Sequence, residues 1–297
     1  MRNSLKGLAK RLIAKLGYDV HKTPRPPLNR FQEASHPLQA MYGQHEHGLV
    51  GLEAPLDSFC NYTGLTYGEN GWHPFVATLK AYRDGHLSYE KSPLARYYAS
   101  WQPDNAQEAF IEFTNAPTIL AQYPSFAFVS PWHTTSLSER VKHIKDNIKS
   151  ENRKAGIPDL GVEAGFGLHG PVDAAKGRIE FDRLVRTYES IRKKGYIMES
   201  RAELIVGFAL VNNEGDYRII VVHGNHRLAA LTVLGYEHVP VRLVAPFVVT
   251  KNSSEWWPQV QAGGWSKRQA ESYFAHLFDM RQAISQWAKN RSLPPVF

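Results

Sequence analysis

The chain of 297 residues contains a single cysteine, Cys60. One thiol forms no internal disulfide and builds no Cys-based zinc cluster, so neither a disulfide framework nor a zinc ribbon holds this fold together. Long apolar runs are also missing. No stretch approaches the roughly 20 residues that span a bilayer, and lysines interrupt the first 20 residues where a secretory signal would need a continuous apolar block. The expectation is a cytoplasmic protein. No internal repeat and no low-complexity tract occurs. With 43% hydrophobic residues, the chain can bury a sizeable core.

An excess of positive charge is present, but not in the body. The net charge is +7. Residues 1–25 hold Arg2, Lys6, Lys10, Arg11, Lys15, Lys22 and Arg25 against Asp19, a net of +6, and the remaining 272 residues carry +1. Overall charge therefore does not demand a polyanion groove in the body, and any such groove must come from local clustering. In the leader, Leu5, Leu8, Leu12 and Leu16 share one helical face, with Lys6, Lys10 and Lys15 off it and Gly17 as a stop. Such a helix either docks its leucine stripe on the body or, through residues 1–17, lies peripherally on anionic lipid or a membrane-bound partner. Pro24, Pro26 and Pro27 then read as a linker.

Residues 28–156 read as a helical and irregular, aromatic-rich region. Phe75, Leu79 and Tyr82 recur at helical spacing, as do Leu94, Tyr97, Tyr98 and Trp101 before Pro103. Stripes of this kind usually face a core. A further helix puts Val141, Ile144 and Ile148 inside, with Arg140, Lys142, Lys145, Lys149 and Arg153 around the rest, the pattern of a solvated charged face. Among 13 histidines, His45 and His47 sit two apart without a third partner at metal-ligand spacing. His73, His133 and His169 each lie in turn-like contexts that single out no chemistry. No metal ligands are assigned.

Residues 157–250 are more legible. Phe181, Leu184, Val185, Tyr188 and Ile191 mark a helix that stops at Gly195. "AELIVGFALV" and "YRIIVV", joined by "NNEGD", read as a β-hairpin, and "VPVRLV" as a third strand after a short helix. The fold class is α+β, a small mixed sheet with packed helices, preceded by the largely helical region and followed over 251–297 by a helical extension. That extension is capped by Ser266 with Gln269 three residues on, and is striped by Tyr273, Phe274, Leu277, Phe278, Ile284 and Trp287.

The candidate site lies at "HGNHRLAAL". A strand that ends in Gly224-Asn225 and turns straight into a helix presents unpaired N–H groups, and Gly224 admits an anion close to the backbone. Asn225 and His226 add donors, and Arg227 a guanidinium fork. The plainer alternative is that Asn225 caps the helix and Arg227 meets a carboxylate. Upstream, Glu180 and Arg183 share a helical face at i and i+3; Glu180 is either half of a surface ion pair or a catalytic base, and His223 is a second candidate base.

"ESIRKKGYI", the hairpin and "HGNHRLAALTVLGYEHVPV" together resemble the ParB/sulfiredoxin-like superfamily over roughly residues 177–245. The resemblance implies nucleotide binding, with triphosphate held by the loop and helix start at Gly224, Asn225, His226 and Arg227. Chemistries of that superfamily include ATP-dependent sulfinate repair, CTP hydrolysis coupled to DNA clamping, and phosphorylation of free serine. Asn225 stands where sulfiredoxins carry cysteine, which disfavours sulfinate repair. The partitioning members' Gly-Glu-Arg-Arg is replaced by Gly224-Asn225-His226-Arg227 with no helix-turn-helix pattern downstream, so specific DNA binding is not expected. His223 stands where the serine kinases have Asp. The basic leader, the "WHP" and "SPLARYYASWQP" segments and the "WWPQV" tail are also similar to stand-alone proteins that accompany surface-polysaccharide synthesis enzymes.

The leading expectation is an enzyme using ATP or another nucleoside triphosphate with Mg²⁺ to phosphorylate a small-molecule or glycan-linked hydroxyl. The alternative is a noncatalytic nucleotide- or nucleic-acid-binding module. The charge distribution generates a direct test. Any DNA binding should be weak, salt-sensitive and abolished by deleting residues 1–25; sequence-specific binding that survives both the deletion and moderate salt would favour the noncatalytic module.

Overall fold

A computed structural model describes residues 34–42, 50–68, 71–85, 87–198 and 204–295. The basic leader and the His45/His47 pair lie outside the described residues. Residues 31–297 belong to one compact unit. Its elements run α1 (Pro37–Tyr42), β1 (Val50–Pro55), β2 (Phe59–Cys60), α2 (Pro74–Gly85), α3 (Pro93–Ser100), α4 (Leu137–Lys154), α5 (Ala174–Lys194), β3 (Ile205–Val211), β4 (Tyr217–His223), α6 (Asn225–Val233), β5 (His238–Thr250), α7 (Pro258–Gln261) and α8 (Lys267–Asn290).

The fold is α+β, built around a mixed five-stranded sheet in the order β1-β5-β3-β4-β2. The expected hairpin is its centre: β3 and β4 pair antiparallel from Val211 opposite Tyr217, and Asp216 N–H donates to the Asn212 side chain across the turn. β5 runs parallel to β3, and β1 and β2 form the two edges. Both edges come from residues 28–156, expected to be helical and irregular, so that expectation is corrected there. β1 alternates buried Val50, Leu52 and Ala54 with half-buried neighbours, a period-2 pattern over only six residues. β2 is two residues long and pairs with β4 in parallel, a contact that no local pattern encodes.

All seven residues of β3 are buried, because helices or loops cover both sheet faces. Ala209, Val211, Ile219 and Val221 join one apolar cluster with α2, α3, α5 and α6. Their alternates Phe208, Leu210 and Ile220 join a second with Trp132, Trp257 and Trp265. The aromatic stripes are core, as expected: Leu94, Tyr97, Tyr98 and Trp101 are all buried. So is the stop at Gly195, which has φ 77° after a last turn containing Arg192, Lys193 and Lys194.

α8 joins the two clusters. Its start carries the expected reciprocal cap, with Ser266 Oγ accepting from Gln269 N–H and the Gln269 side chain accepting from Ser266 N–H. Tyr273, Phe274 and Leu277 enter one cluster, and Met280, Ile284 and Trp287 the other. The Trp287 ring lies edge-on to Trp101 at 5.5 Å and to Trp72 at 5.9 Å. Trp287→Ala should therefore cost about 3–5 kcal/mol, the range for emptying a buried aromatic site. Urea unfolding of the variant measures it, and a loss under about 1 kcal/mol would show that the cluster collapses without this ring.

Candidate functional site

β4 ends at exposed His223, and the chain turns through Gly224 into α6. Gly224 has φ 99°, a conformation L side chains rarely adopt, and a Cβ there would stand 3.1 Å from Ile205 Cα. Gly224, not Asn225, is the helix N-cap, and no side chain caps the first turn. The N–H groups of that turn are thus left for another acceptor. Asn225 does not cap the helix, contrary to the plainer alternative: its Oδ1 accepts a 2.6 Å hydrogen bond from Tyr67 Oη. With the oxygen so held, the NH₂ end of the amide is its remaining polar function.

These residues open onto a cavity of about 550 Å³, of the size that takes small-molecule ligands. Every residue expected at the site from the sequence lines it: Glu180, His223, Gly224, Asn225, His226 and Arg227. Their roles differ from one another. His226 Nε2 lies 2.9 Å from Glu180 Oε1, while Arg183 Nη1 is 4.0 Å from Oε2, so the partner of Glu180 is the histidine rather than the i+3 arginine. Burial works to raise the Glu180 carboxyl, but the hydrogen bond and electrostatic pull of His226, with the charges of Arg183 and Lys176, prevail and hold it below the usual carboxylate value. Phe75 packs against the His226 ring at 4.8 Å. Arg227 donates from Nη1 to Leu204 O at 3.0 Å and so ties the start of α6 to the start of β3. It is a tether as well as a lining cation, and its removal should loosen the fold.

Three residues with no role at the site read from the sequence, His73, Arg140 and Lys176, also line the cavity, and Tyr67 supports the first of them. Tyr67 is fully buried, and His73 stacks on it at 4.1 Å and 22°. Burial, reinforced by His226, lowers the His73 pKa to about 3. Phe75 N–H donates to its Nδ1, so the proton of this neutral ring sits on Nε2. The "GWHP" turn offered no signal for this packing. Arg140 and Lys176 also face the cavity, from α4 and α5. In α4 Ile144 and Ile148 are buried as expected and Val141 is half-buried, but the charged face is not uniformly solvated: Lys142, Lys145 and Lys149 are exposed, while Arg140, His143, Asn147 and Glu151 border the cavity. Lys176 Nζ donates to Gly165 O at 2.6 Å, and burial lowers its pKa.

The cavity is cationic, with Arg140, Lys176, Arg183 and Arg227 against Glu151 and Glu180. An anion gains there from fixed charges and from the α6 N-terminus together. Among the described residues no group of three or more His, Cys, Asp or Glu is placed to hold a metal by itself. No helix among them is long and apolar enough to cross a membrane. Compared with known proteins, the chain matches no family model, no curated protein and no solved structure.

The buried neutral histidine generates a pH prediction. His73 has a folded pKa depressed to about 3 from an ordinary 6.5. The unfolded chain therefore takes up a proton that the folded chain refuses, and the stability present above pH 6.5 is lost progressively toward pH 3, at about 1.4 kcal/mol per pH unit for this group. His73→Asn keeps an acceptor near Phe75 N–H but cannot titrate. Urea unfolding between pH 6 and 5 should show a slope shallower by about that amount, and an unchanged slope would mean that His73 is protonated in the fold.

Proposed function

We propose that the protein binds a nucleoside triphosphate, ATP or a relative, in this cavity and transfers a phosphoryl group to a hydroxyl of a small or glycan-linked acceptor. The observation that carries the reading is the Glu180–His226 pair, 2.9 Å apart, inside a cationic cavity at a glycine-started helix. The resemblance of residues 177–245 to the ParB/sulfiredoxin-like superfamily points the same way.

The residues present fit a polyphosphate. The uncapped first turn of α6 and the cations Arg140, Lys176, Arg183 and Arg227 are what a polyphosphate would meet in this cavity. Mg²⁺ takes one or two protein carboxylates together with phosphate oxygens, and with Glu180 assigned to the proton, Glu151 is the carboxylate of this cavity that would hold it. When bound, the Mg²⁺-nucleotide supplies the transferable phosphoryl group. The chain supplies position and proton handling, which is most of what such a transfer requires.

In this reading His226 holds Glu180 by its Oε1, which orients the carboxylate and keeps it ionised. Oε2, 4.0 Å from Arg183 Nη1, accepts the proton of the acceptor hydroxyl. His223, exposed at the end of β4, is the second candidate for that proton. Lys176 and Arg183 offset the negative charge gathered near Glu180.

Two measurements test this. A thermal-shift screen of ATP, ADP, CTP and GTP, with and without Mg²⁺, should raise Tm for at least one triphosphate. Glu180→Gln should then reduce kcat by about 10²–10⁴ while nucleotide affinity changes only a few-fold. Full turnover in that variant would remove Glu180 as the base and leave His223. Stabilisation by nucleotide without phosphoryl transfer to any acceptor tried would favour the noncatalytic module.

A further inference from the structure

Arg140 is in an electrostatically wrong place for a residue that only supports the fold. It sits in the first turn of α4, where the helix dipole disfavours a cation. Its Nε is buried without a hydrogen-bond partner. The neighbouring carboxylate, Glu139, is committed to the reciprocal cap, accepting from Ser136 N–H at 2.9 Å and from Ser136 Oγ at 2.7 Å. The group that bears on Arg140 electrostatically is the Tyr62 hydroxyl, which burial keeps protonated and so uncharged, and burial works against the guanidinium. His133 nearby is kept neutral, its pKa lowered to about 3 by burial and then by Arg140, while its Nδ1 accepts from Ser130 N–H. Arg140 as a whole is half-buried, but a buried guanidinium N–H with no acceptor costs the fold unless something outside the chain completes it.

The side chain borders the same cavity as Gly224–Arg227. We propose that Arg140 is the principal anchor for a phosphate group of the ligand, its planar fork reaching the anion from α4 while the first turn of α6 supplies backbone donors. Of the three arginines of the cavity, Arg227 is tied to Leu204 O and Arg183 lies 4.0 Å from Glu180, while Arg140 has an unsatisfied N–H to offer. The inference rests on the nucleotide reading for the identity of the whole ligand, but requires of it only a phosphate.

Calorimetric titration of the full chain with inorganic pyrophosphate, and separately with ATP and Mg²⁺, distinguishes the two. Arg140→Met should weaken pyrophosphate binding roughly tenfold to a hundredfold, the range for a charged hydrogen bond. Its ligand-free Tm should stay level or rise, because the unpaired charge is gone. Arg140→Lys keeps the charge without the fork and should fall between; it decides the matter if the methionine variant fails to fold. If pyrophosphate binds through Arg140 and nucleotides do not bind, the nucleotide reading falls and the anchor stands. If ATP binds equally to the wild type and the variants, the anchor falls and the nucleotide reading stands. Absence of pyrophosphate binding to the wild type, or a lower ligand-free Tm with unchanged affinity, overturns the proposal.

Discussion

Everything at the site depends on the close approach of Gly224 to Ile205. At that point β4 ends, β3 begins and α6 starts, at a left-handed φ of 99° and in a space where an added carbon would press on Ile205 Cα at 3.1 Å. The left-handed turn lets the chain reverse from a doubly covered sheet into a helix without a linking loop. As a result His223, Asn225, His226 and Arg227 leave the backbone at fixed positions around one cavity mouth. A side chain at 224 would have to move the first residue of β3, and with it the carbonyl of Leu204 that Arg227 holds.

The walls around this turn show how a site can be stiffened indirectly. Tyr67 and Asn225 are 158 residues apart in sequence and share a 2.6 Å hydrogen bond. His73 stacks on that tyrosine, and Phe75, two residues further on, packs on the ring of His226. The segment just before α2 and its first turn therefore restrain both Asn225 and His226, one through a phenol and the other through an aromatic face. Glu180 restrains His226 from α5. The imidazole is held by a carboxylate and by an apolar ring, so its orientation is set before any ligand arrives.

Much of this was legible from sequence, and the parts that were not have a common cause. The hairpin, α5, α6 and α8 are each defined by periodicity and by end signals within 10–25 residues, and the pattern "HGNHR" marked the cavity mouth by chemistry alone. β2 is two residues long and exists because β4 offers it a parallel partner. β1 alternates for only six residues. Arg140 is spaced like any other residue of a charged helix, and only the tertiary position of α4 separates it from Lys142 and Lys145. Arg227 was legible as a cation at a helix start, but its carbonyl partner, Leu204, lies just before another strand, 23 residues away. Properties that arise from contact between distant segments leave no local pattern to read.

The parallel pairing of β2 with β4 has a consequence in time. Phe59 and Cys60 find their partners at Ile219 and Ile220, and β1 finds its own at His238 to Leu243, so both edge strands wait for residues synthesised much later. On a nascent chain the aromatic N-terminal half emerges with its apolar surface uncovered and no sheet to join. The cavity, whose lining runs from Asn61 to Arg227, comes into being only after the central hairpin has left the ribosome. Long-range pairing of this kind makes folding slow relative to helical proteins of similar length, and leaves apolar surface of the first half exposed until the second half is made.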